Sequence, residues 1–317
     1  MKKQLFVLGL AVAALASCTN EEVTDIADSN VIGFKTFVGN ATKAVTGVDN
    51  NTLQNFYVYG LKDSAPLFTN EKVYKNGTAW GYDNIEKWVA ATYNFAAYSN
   101  GGTEGVDGKI DNANVSYDAT DGLEIANYVV GADNRDLVAS ISSTNINSTN
   151  TPVEFTFNHT LAKVKFTVQS SMGTNAIAIS DLSVTGVKDK ATLTYNTSAD
   201  PVSSWTIPSE ARTLSGAAGT TTTDAPYSDE FVVIPQNNEI TVTFKAAITV
   251  EDTPINKQLS ATIAAASCDW KPGMCYNYVA TIDASDMDII TFTLDEVTPW
   301  ANYTDTPTGD LSSQDAN

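Results

Sequence analysis

Alternation of apolar and polar residues is the feature that most constrains the fold of this chain. From residue 240 onward the apolar residues share one parity, with threonine and lysine among the residues between them: Ile240, Val242, Phe244, Ala246, Ile248 and Val250. The same period recurs at 259–265, 276–282 and 290–294. A two-residue period is typical of a half-buried strand, and no stretch of similar length keeps helical apolar spacing. The sequence therefore predicts an all-β fold of antiparallel sandwiches.

The N-terminus has the pattern of an export signal. Lys2 and Lys3 precede an apolar stretch at 5–15 that is too short to span a bilayer as a stable helix. The tetrapeptide that follows, Leu15-Ala16-Ser17-Cys18, resembles the lipobox of bacterial lipoproteins. We therefore expect residues 1–17 to be removed and Cys18 to become the lipid-bearing first residue. The alternative is an ordinary secretory signal with an incidental cysteine.

Residues 18–30 form a predicted linker that also carries an export signal. Its Thr19-Asn20-Glu21-Glu22 is similar to the surface-export signals of lipoproteins in anaerobic gut and oral bacteria. Beyond it we expect an N-terminal β-sandwich at 31–172 and a C-terminal one at 173–317, which ends in a strand and a polar tail. A hydrophobic content of 43% in 317 residues is sufficient for such cores.

The charge of the chain excludes some partners. Removal of Lys2 and Lys3 with the signal changes the formal charge from −19 to −21. So acidic a surface repels nucleic acid and anionic lipid. We therefore expect no nucleic-acid partner.

A change of strand phase surrounds the single histidine. The apolar residues up to Leu161 share the parity of His159, whereas those from Val164 onward share the other parity. The strand is therefore expected to bulge or break near Ala162. His159 lies on the apolar parity, which favours a partly buried histidine that is hydrogen-bonded within the sheet.

Four segments resemble segments of the fimbrillins, the subunits of type V pili. They are Phe157-Asn158-His159-Thr160-Leu161-Ala162-Lys163-Val164-Lys165-Phe166, Trp270-Lys271-Pro272-Gly273 with Tyr276-Asn277-Tyr278, Ile290-Thr291-Phe292 with Val297 and Trp300, and the first strand from Ile32 to Ala44. The resemblance implies two transthyretin-like β-sandwiches at the outer membrane and cell surface. It also implies that a trypsin-like protease removes the first strand, and that the C-terminal strand of the next subunit fills the groove.

Specific residues fit the roles that this resemblance implies. The strand with Ile32, Phe34 and Val38 is followed by a small polar stretch that contains one base, so the predicted cut lies between Lys43 and Ala44. Lys35 is a poorer candidate because it lies inside the strand. The predicted donor residues are Ile290, Phe292, Leu294, Val297 and Trp300. Such a strand binds through backbone hydrogen bonds and alternate side chains; the alternative is that it belongs to its own sheet.

Two cysteines remain in the predicted C-terminal sandwich. A hairpin that sets Cys268 opposite Cys275 aligns the apolar faces of both strands, with Ala265 opposite Tyr278. In an oxidising compartment this register favours a cross-strand disulfide. The alternative is two free thiols.

The sequence gives little support to the hypotheses of an enzyme or a metal-binding protein. The chain lacks the Gly-x-Ser-x-Gly and phosphate-loop motifs and has no Cys/His cluster for zinc. The stretch Asp107-Gly108-Lys109-Ile110-Asp111 matches only part of a calcium loop. We expect no enzyme, no cofactor and no metal.

The function expected is a stalk or tip subunit of an adhesive fimbria whose partners are other subunits. The alternatives are a monomeric surface lipoprotein that binds glycans, with Trp80, Tyr82 and Trp88 as a platform, or a pilus anchor.

Overall fold

The computed structural model describes most of the chain from residue 30 to residue 300. The described ranges are 30–38, 47–131, 133–142, 146–147, 152–173, 175–199, 202–207, 211–250, 253–283 and 290–300. Their regular secondary structure is almost entirely strand, which confirms the predicted all-β class. In this part of the chain, no helix has the length and apolar character that a bilayer crossing requires.

The strands follow one another along the chain, joined by loops of different lengths. In the first half they are β1 (Phe34–Val38), β2 (Asn55–Lys62), β3 (Ala65–Asn76), β4 (Ala79–Gly81), β5 (Thr92–Asn100), β6 (Val115–Asp118), β7 (Gly122–Val129), β8 (Leu137–Ile141), β9 (Ile146–Asn147) and β10 (Val153–His159). In the second half they are β11 (Ala162–Ser170), β12 (Ile177–Val187), β13 (Lys190–Tyr195), β14 (Ser203–Thr206), β15 (Arg212–Ser215), β16 (Gly219–Thr221), β17 (Tyr227–Val233), β18 (Ile240–Val250), β19 (Thr253–Ile263), β20 (Met274–Ile282) and β21 (Thr293–Pro299). Single-turn 3₁₀ helices lie at Asn112–Asn114 and Ala265–Ser267.

The first pair of sheets contains most of the N-terminal half. An eight-stranded sheet has the order β1-β10-β8-β5-β2-β3-β4, with β9 on β5, and a four-stranded sheet has the order β14-β13-β7-β6. A core that includes Tyr57, Tyr98 and Leu193 joins the two sheets. A second, aromatic core that includes Phe34 and Phe95 covers the other face of the large sheet. The large sheet is therefore buried on both faces over much of its area.

The second pair of sheets contains most of the C-terminal half. A four-stranded sheet has the order β17-β11-β20-β21, and a five-stranded sheet has the order β15-β12-β18-β19, with β16 on β12. Their inner faces share one core, which includes Phe166, Phe244 and Tyr278. The alternation predicted from Ile240 is confirmed, since the residues of that parity from Ile240 to Ile248 are buried.

The predicted boundary between residues 172 and 173 does not separate the sheets. Strand β11, which precedes it, pairs with β17 and β20 in the second pair of sheets. Strands β13 and β14, which follow it, belong to the sheet of β7 in the first pair. The boundary is wrong because the chain crosses between the sheet pairs more than once, whereas a single division assumes that each folds from one continuous segment.

The predicted phase change near Ala162 is confirmed as a break. Strand β10 ends at His159 in the large sheet, and β11 begins at Ala162 in another sheet. Two strand pairs, β1 with β10 and β11 with β20, are parallel, whereas the other strand pairs among the described residues are antiparallel as predicted.

Candidate assembly site

The first strand lies at an edge of the large sheet. Strand β1 pairs in parallel with β10, from Phe34 opposite Val153 to Val38 opposite Phe157. Side chains of one parity face the core, because Ile32, Phe34 and Val38 are buried whereas Phe37 is 55% exposed. This agrees with the apolar face predicted from the sequence. Each buried side chain contributes about 1.5–3 kcal/mol to the binding of this strand.

Phe34 occupies the centre of an aromatic pocket. Its ring centroid lies 5.3 Å from that of Tyr82 and 5.9 Å from that of Phe155, the latter in a stacked arrangement. Three further rings contact it edge to face at 5.9–6.4 Å: Phe56, Phe68 and Phe95. Such ring pairs stabilise a core beyond the contribution that comes from buried surface area alone. The rings that form the pocket all belong to strands and loops other than β1. Removal of β1 would therefore leave the segments that form the pocket intact.

The segment before β1 is held on its other side by the chain around residues 82–88. The Ile32 amide donates to the Glu86 carbonyl (2.9 Å), and the Trp88 amide donates to the Asn30 carbonyl (2.7 Å). The Tyr82 hydroxyl donates to the Ile32 carbonyl (2.8 Å). Residues 30–38 therefore lie in a slot that is formed by this segment at residues 30–32 and by β10 along β1. Their removal would leave backbone donors and acceptors of both walls without partners.

The C-terminal strand pairs with its own sheet. Strand β21 is antiparallel to β20 and forms an edge, with Leu294 opposite Tyr278 and Val297 opposite Tyr276. Ile290 and Phe292 are buried, and the Phe292 ring packs on Phe166 and Phe244. Leu294 and Val297 are 38% and 43% exposed. Three of the five predicted donor residues are therefore buried in this subunit, and the two central ones are partly open.

Trp300 attaches the end of this strand to a buried polar cluster. Its ring stacks on His159 with centroids 4.7 Å apart, and the Lys163 ammonium lies 4.7 Å from the ring centroid. The Trp300 amide donates to the Gly273 carbonyl (2.8 Å). His159 Nδ1 lies 2.9 Å from Asp136 Oδ2. His159 is therefore buried and hydrogen-bonded, as expected from its place on the apolar parity.

The chain that follows the predicted processing stretch reaches the same cluster. The Val48 amide donates to Asp136 Oδ2 (2.9 Å). A Cβ atom on Gly47 would lie 3.0 Å from Trp300 Nε1, so backbone and indole are in close contact. Cys18, Lys43 and Ala44 themselves lie outside the described residues. The structure thus brings Trp300, the last predicted donor residue, next to Gly47, which follows Lys43 by four positions in the sequence.

The cysteine pairing predicted from strand register is wrong. Strand β19 pairs with β18, whereas β20 pairs with β11 and β21 in another sheet, so the two cysteines do not face each other in a hairpin. Cys268 and Cys275 are free, buried thiols and belong to different cores. Burial raises the pKa of the Cys268 thiol to about 11 and that of Cys275 to about 12.

The other candidate residues have structural roles. Tyr82 and Trp88 are buried in the aromatic core, so they cannot form a sugar-stacking platform with Trp80. Asp107 accepts from Lys72 in a surface ion pair. Among the described residues, no group of three or more His, Cys, Asp or Glu side chains is placed to hold a metal ion.

Sequence reasoning missed two parts of this site. The slot around β1 depends on Tyr82 and Trp88. The sequence allows a sugar-stacking platform for these residues but favours a core strand for the run from Trp88 to Tyr98, and it does not indicate their contact with the first strand. The cluster of Asp136, His159 and Trp300 joins three distant segments, and no local pattern in the sequence connects them.

Comparisons with known proteins agree with this architecture. A fimbrial protein from Bacteroides vulgatus matches with a TM-score of 0.55 at 14% identity, over 86% of this chain and 99% of that one. A protein from Bacteroides uniformis assigned to cell adhesion matches with a TM-score of 0.51 at 18% identity, over 85% and 98% of the two chains. No curated protein matched the chain.

At these identities the structures establish a shared fold, and the family assignment rests on the sequence. The profile of the fimbrillin-like family matches residues 42–300, which is most of the 317-residue chain. The family is structural rather than enzymatic, in agreement with the missing catalytic motifs. The chain belongs to the fimbrillin-like family.

Proposed function

We propose that this protein is a stalk or tip subunit of a cell-surface type V fimbria that assembles by protease-triggered strand exchange and serves adhesion. It is exported as a lipoprotein through Cys18 and held at the outer membrane by that lipid. A trypsin-like protease cuts between Lys43 and Ala44. The cut detaches residues 30–38 from the rest of the chain, and strand β21 of another subunit enters the slot.

The observation that carries this proposal is the position of β1. An apolar edge strand fills a slot whose walls come from other elements, and the predicted cut follows Val38 by five residues. Loss of this strand exposes the Phe34 pocket and a row of backbone groups on β10. Both are the features that an extended peptide recognises when it adds to a sheet.

The packing of the C-terminal segment in its own subunit supports the proposal that assembly begins only after the cut. Ile290 and Phe292 are buried in the core of their own subunit. Removal of a buried phenylalanine side chain from a core costs about 3–5 kcal/mol. The strand therefore remains in its own sheet until a slot that offers equivalent apolar contacts is open.

Two alternatives keep the uncut chain as the functional form. A pilus anchor would retain both β1 and β21 in its own sheets, and both are paired there in this structure. A monomeric glycan-binding lipoprotein is less favoured, because two of its three predicted platform residues are buried.

The test is processing in solution. Lipid-free protein is incubated with a trypsin-like protease, followed by N-terminal sequencing and by electrophoresis in SDS without heating. We expect one early cut that leaves Ala44 as the first residue, and then a ladder of SDS-resistant oligomers. The matched control, Lys43→Ala, should remain uncut and monomeric. A wild-type chain that stays intact, or that is cut and remains monomeric, contradicts the proposal.

A further inference from the structure

The first and the last strand segments carry similar series of side chains. The core-facing residues of the first are Ile32, Phe34, Thr36 and Val38. The apolar residues of the last are Ile290, Phe292, Leu294 and Val297. Three of the four positions hold the same residue type in the same order. The one spacing that differs is between the third and fourth residues, which are two positions apart in the first series and three in the second.

An irregularity in β21 removes this difference. Leu294 lies opposite Tyr278 and Val297 lies opposite Tyr276, which are two residues apart on β20. The register shifts between Asn277 and Tyr278, so β21 contains one extra residue between its two apolar side chains. Leu294 and Val297 therefore share a face, as residues two apart in a regular strand would. The extra residue comes from the acidic pair Asp295 and Glu296.

From this match we infer the register of strand exchange between two copies of the chain. Residues 290–297 of one subunit, which include the start of β21, run parallel to β10 of the next subunit. They set Ile290, Phe292, Leu294 and Val297 in the places of Ile32, Phe34, Thr36 and Val38. This inference rests on the proposed function and specifies its partner contacts. The Phe34 pocket of five aromatic rings receives another phenylalanine, and the buried place of Val38 receives another valine.

The outward-facing residues fit the same register. Lys35 and Phe37 face solvent. The Lys35 side chain is 70% exposed, and Phe37 is 55% exposed as a whole residue. Their places are taken by Thr293 and by the acidic pair, all of which remain in water. A shift by one residue would instead turn these acids toward the apolar slot and expose Phe292, which is unfavourable on both counts.

The register is tested by cross-linking between two single variants. In the inferred register Thr293 takes the place of Lys35, which lies opposite Glu154. Thr293→Cys and Glu154→Cys are prepared separately, without Cys18, then mixed, cut with the protease and oxidised mildly. Both positions are exposed, and the native Cys268 and Cys275 are buried. We expect a reducible dimer band that depends on the cut and on the presence of both variants.

A matched pair measures a shifted register. Thr293→Cys is mixed with Thr156→Cys, which lies two residues further along β10 on the same exposed face. We expect this pair to cross-link at least five-fold less than the first. An SDS-resistant ladder in which the Thr156 pair cross-links better overturns the register and leaves strand exchange intact. A ladder in which neither pair cross-links also overturns it, whereas the absence of any ladder contradicts the proposed function itself.

Discussion

At the scale of single residues, the two thiols show how burial and charge state are linked. Cys268 donates its thiol toward the Ile263 carbonyl at 3.9 Å, and Cys275 lies in the core that also holds Trp300. Thiolates are the reactive form of cysteine. Because burial raises the pKa of Cys268 to about 11 and of Cys275 to about 12, both should be inert at neutral pH.

This predicts the outcome of thiol labelling. In protein without Cys18 and without reductant, a thiol reagent at pH 8 should label neither cysteine in the native state within an hour. Both should be labelled after unfolding in guanidinium. Labelling is quantified by mass spectrometry of the intact chain. If unfolded protein also lacks reactive thiols, the two cysteines are oxidised, and the assignment of free thiols is wrong.

At the scale of elements, β1 and β21 should respond differently to substitution before and after processing. Phe34→Ala removes a buried ring from the aromatic core, so the uncut protein should lose about 3–5 kcal/mol of unfolding free energy. Phe37→Ala on the exposed face should change it by less than about 0.5 kcal/mol. Chemical denaturation measures both. Since the cut removes residue 34, assembled fibres of the two variants should be equally stable; fibres weakened by Phe34→Ala would show that β1 is retained.

Leu294 offers the complementary substitution in β21. It is 38% exposed in the subunit and, under the proposed exchange, takes the half-buried place of Thr36 on the core-facing side of the slot. Leu294→Lys should therefore leave the melting temperature of the uncut monomer nearly unchanged and abolish the SDS-resistant ladder, because a lysine ammonium in an apolar slot is costly. Val129→Lys, at a 51% exposed valine on β7, is the matched control and should assemble normally. Normal assembly of Leu294→Lys would contradict its position on the core-facing side of the slot.

The strands themselves were largely predictable from the sequence, whereas their partners were not. Alternation identified β10, β18 and β20, because the parity of burial is a local property. The pairing of β19 with β18 rather than β20 depends on which sheet each strand joins, and equal apolar faces fit both choices. The same limit applies to Trp300 and His159, whose contact is set by the packing of distant segments.

At the scale of the whole molecule, the buried tyrosines link stability to high pH. Burial raises the pKa of Tyr59 and Tyr117 to about 12. Burial also raises the pKa of several other core tyrosines: Tyr57, Tyr98, Tyr128, Tyr227 and Tyr278. In the unfolded chain these phenols ionise near pH 10. The folded state therefore holds protons that the unfolded state releases, and this contribution to stability is complete below about pH 10 and is lost as the pH rises through the folded pKa values.

The resulting prediction is an unfolding transition that begins above about pH 10. Absorbance at 295 nm reports phenolate, and circular dichroism reports the sheets; the late part of the phenolate signal should rise together with the loss of strand signal. Repulsion within this acidic chain, of net charge −19, also grows as lysines lose their protons. The two causes can be separated with salt, because 1 M NaCl shortens the screening length to about 3 Å and weakens repulsion but does not hydrate a buried phenol. If salt shifts the midpoint of the transition by less than about half a pH unit, ionisation of the tyrosines causes the unfolding. If salt removes the transition, charge repulsion causes it, and the prediction is contradicted.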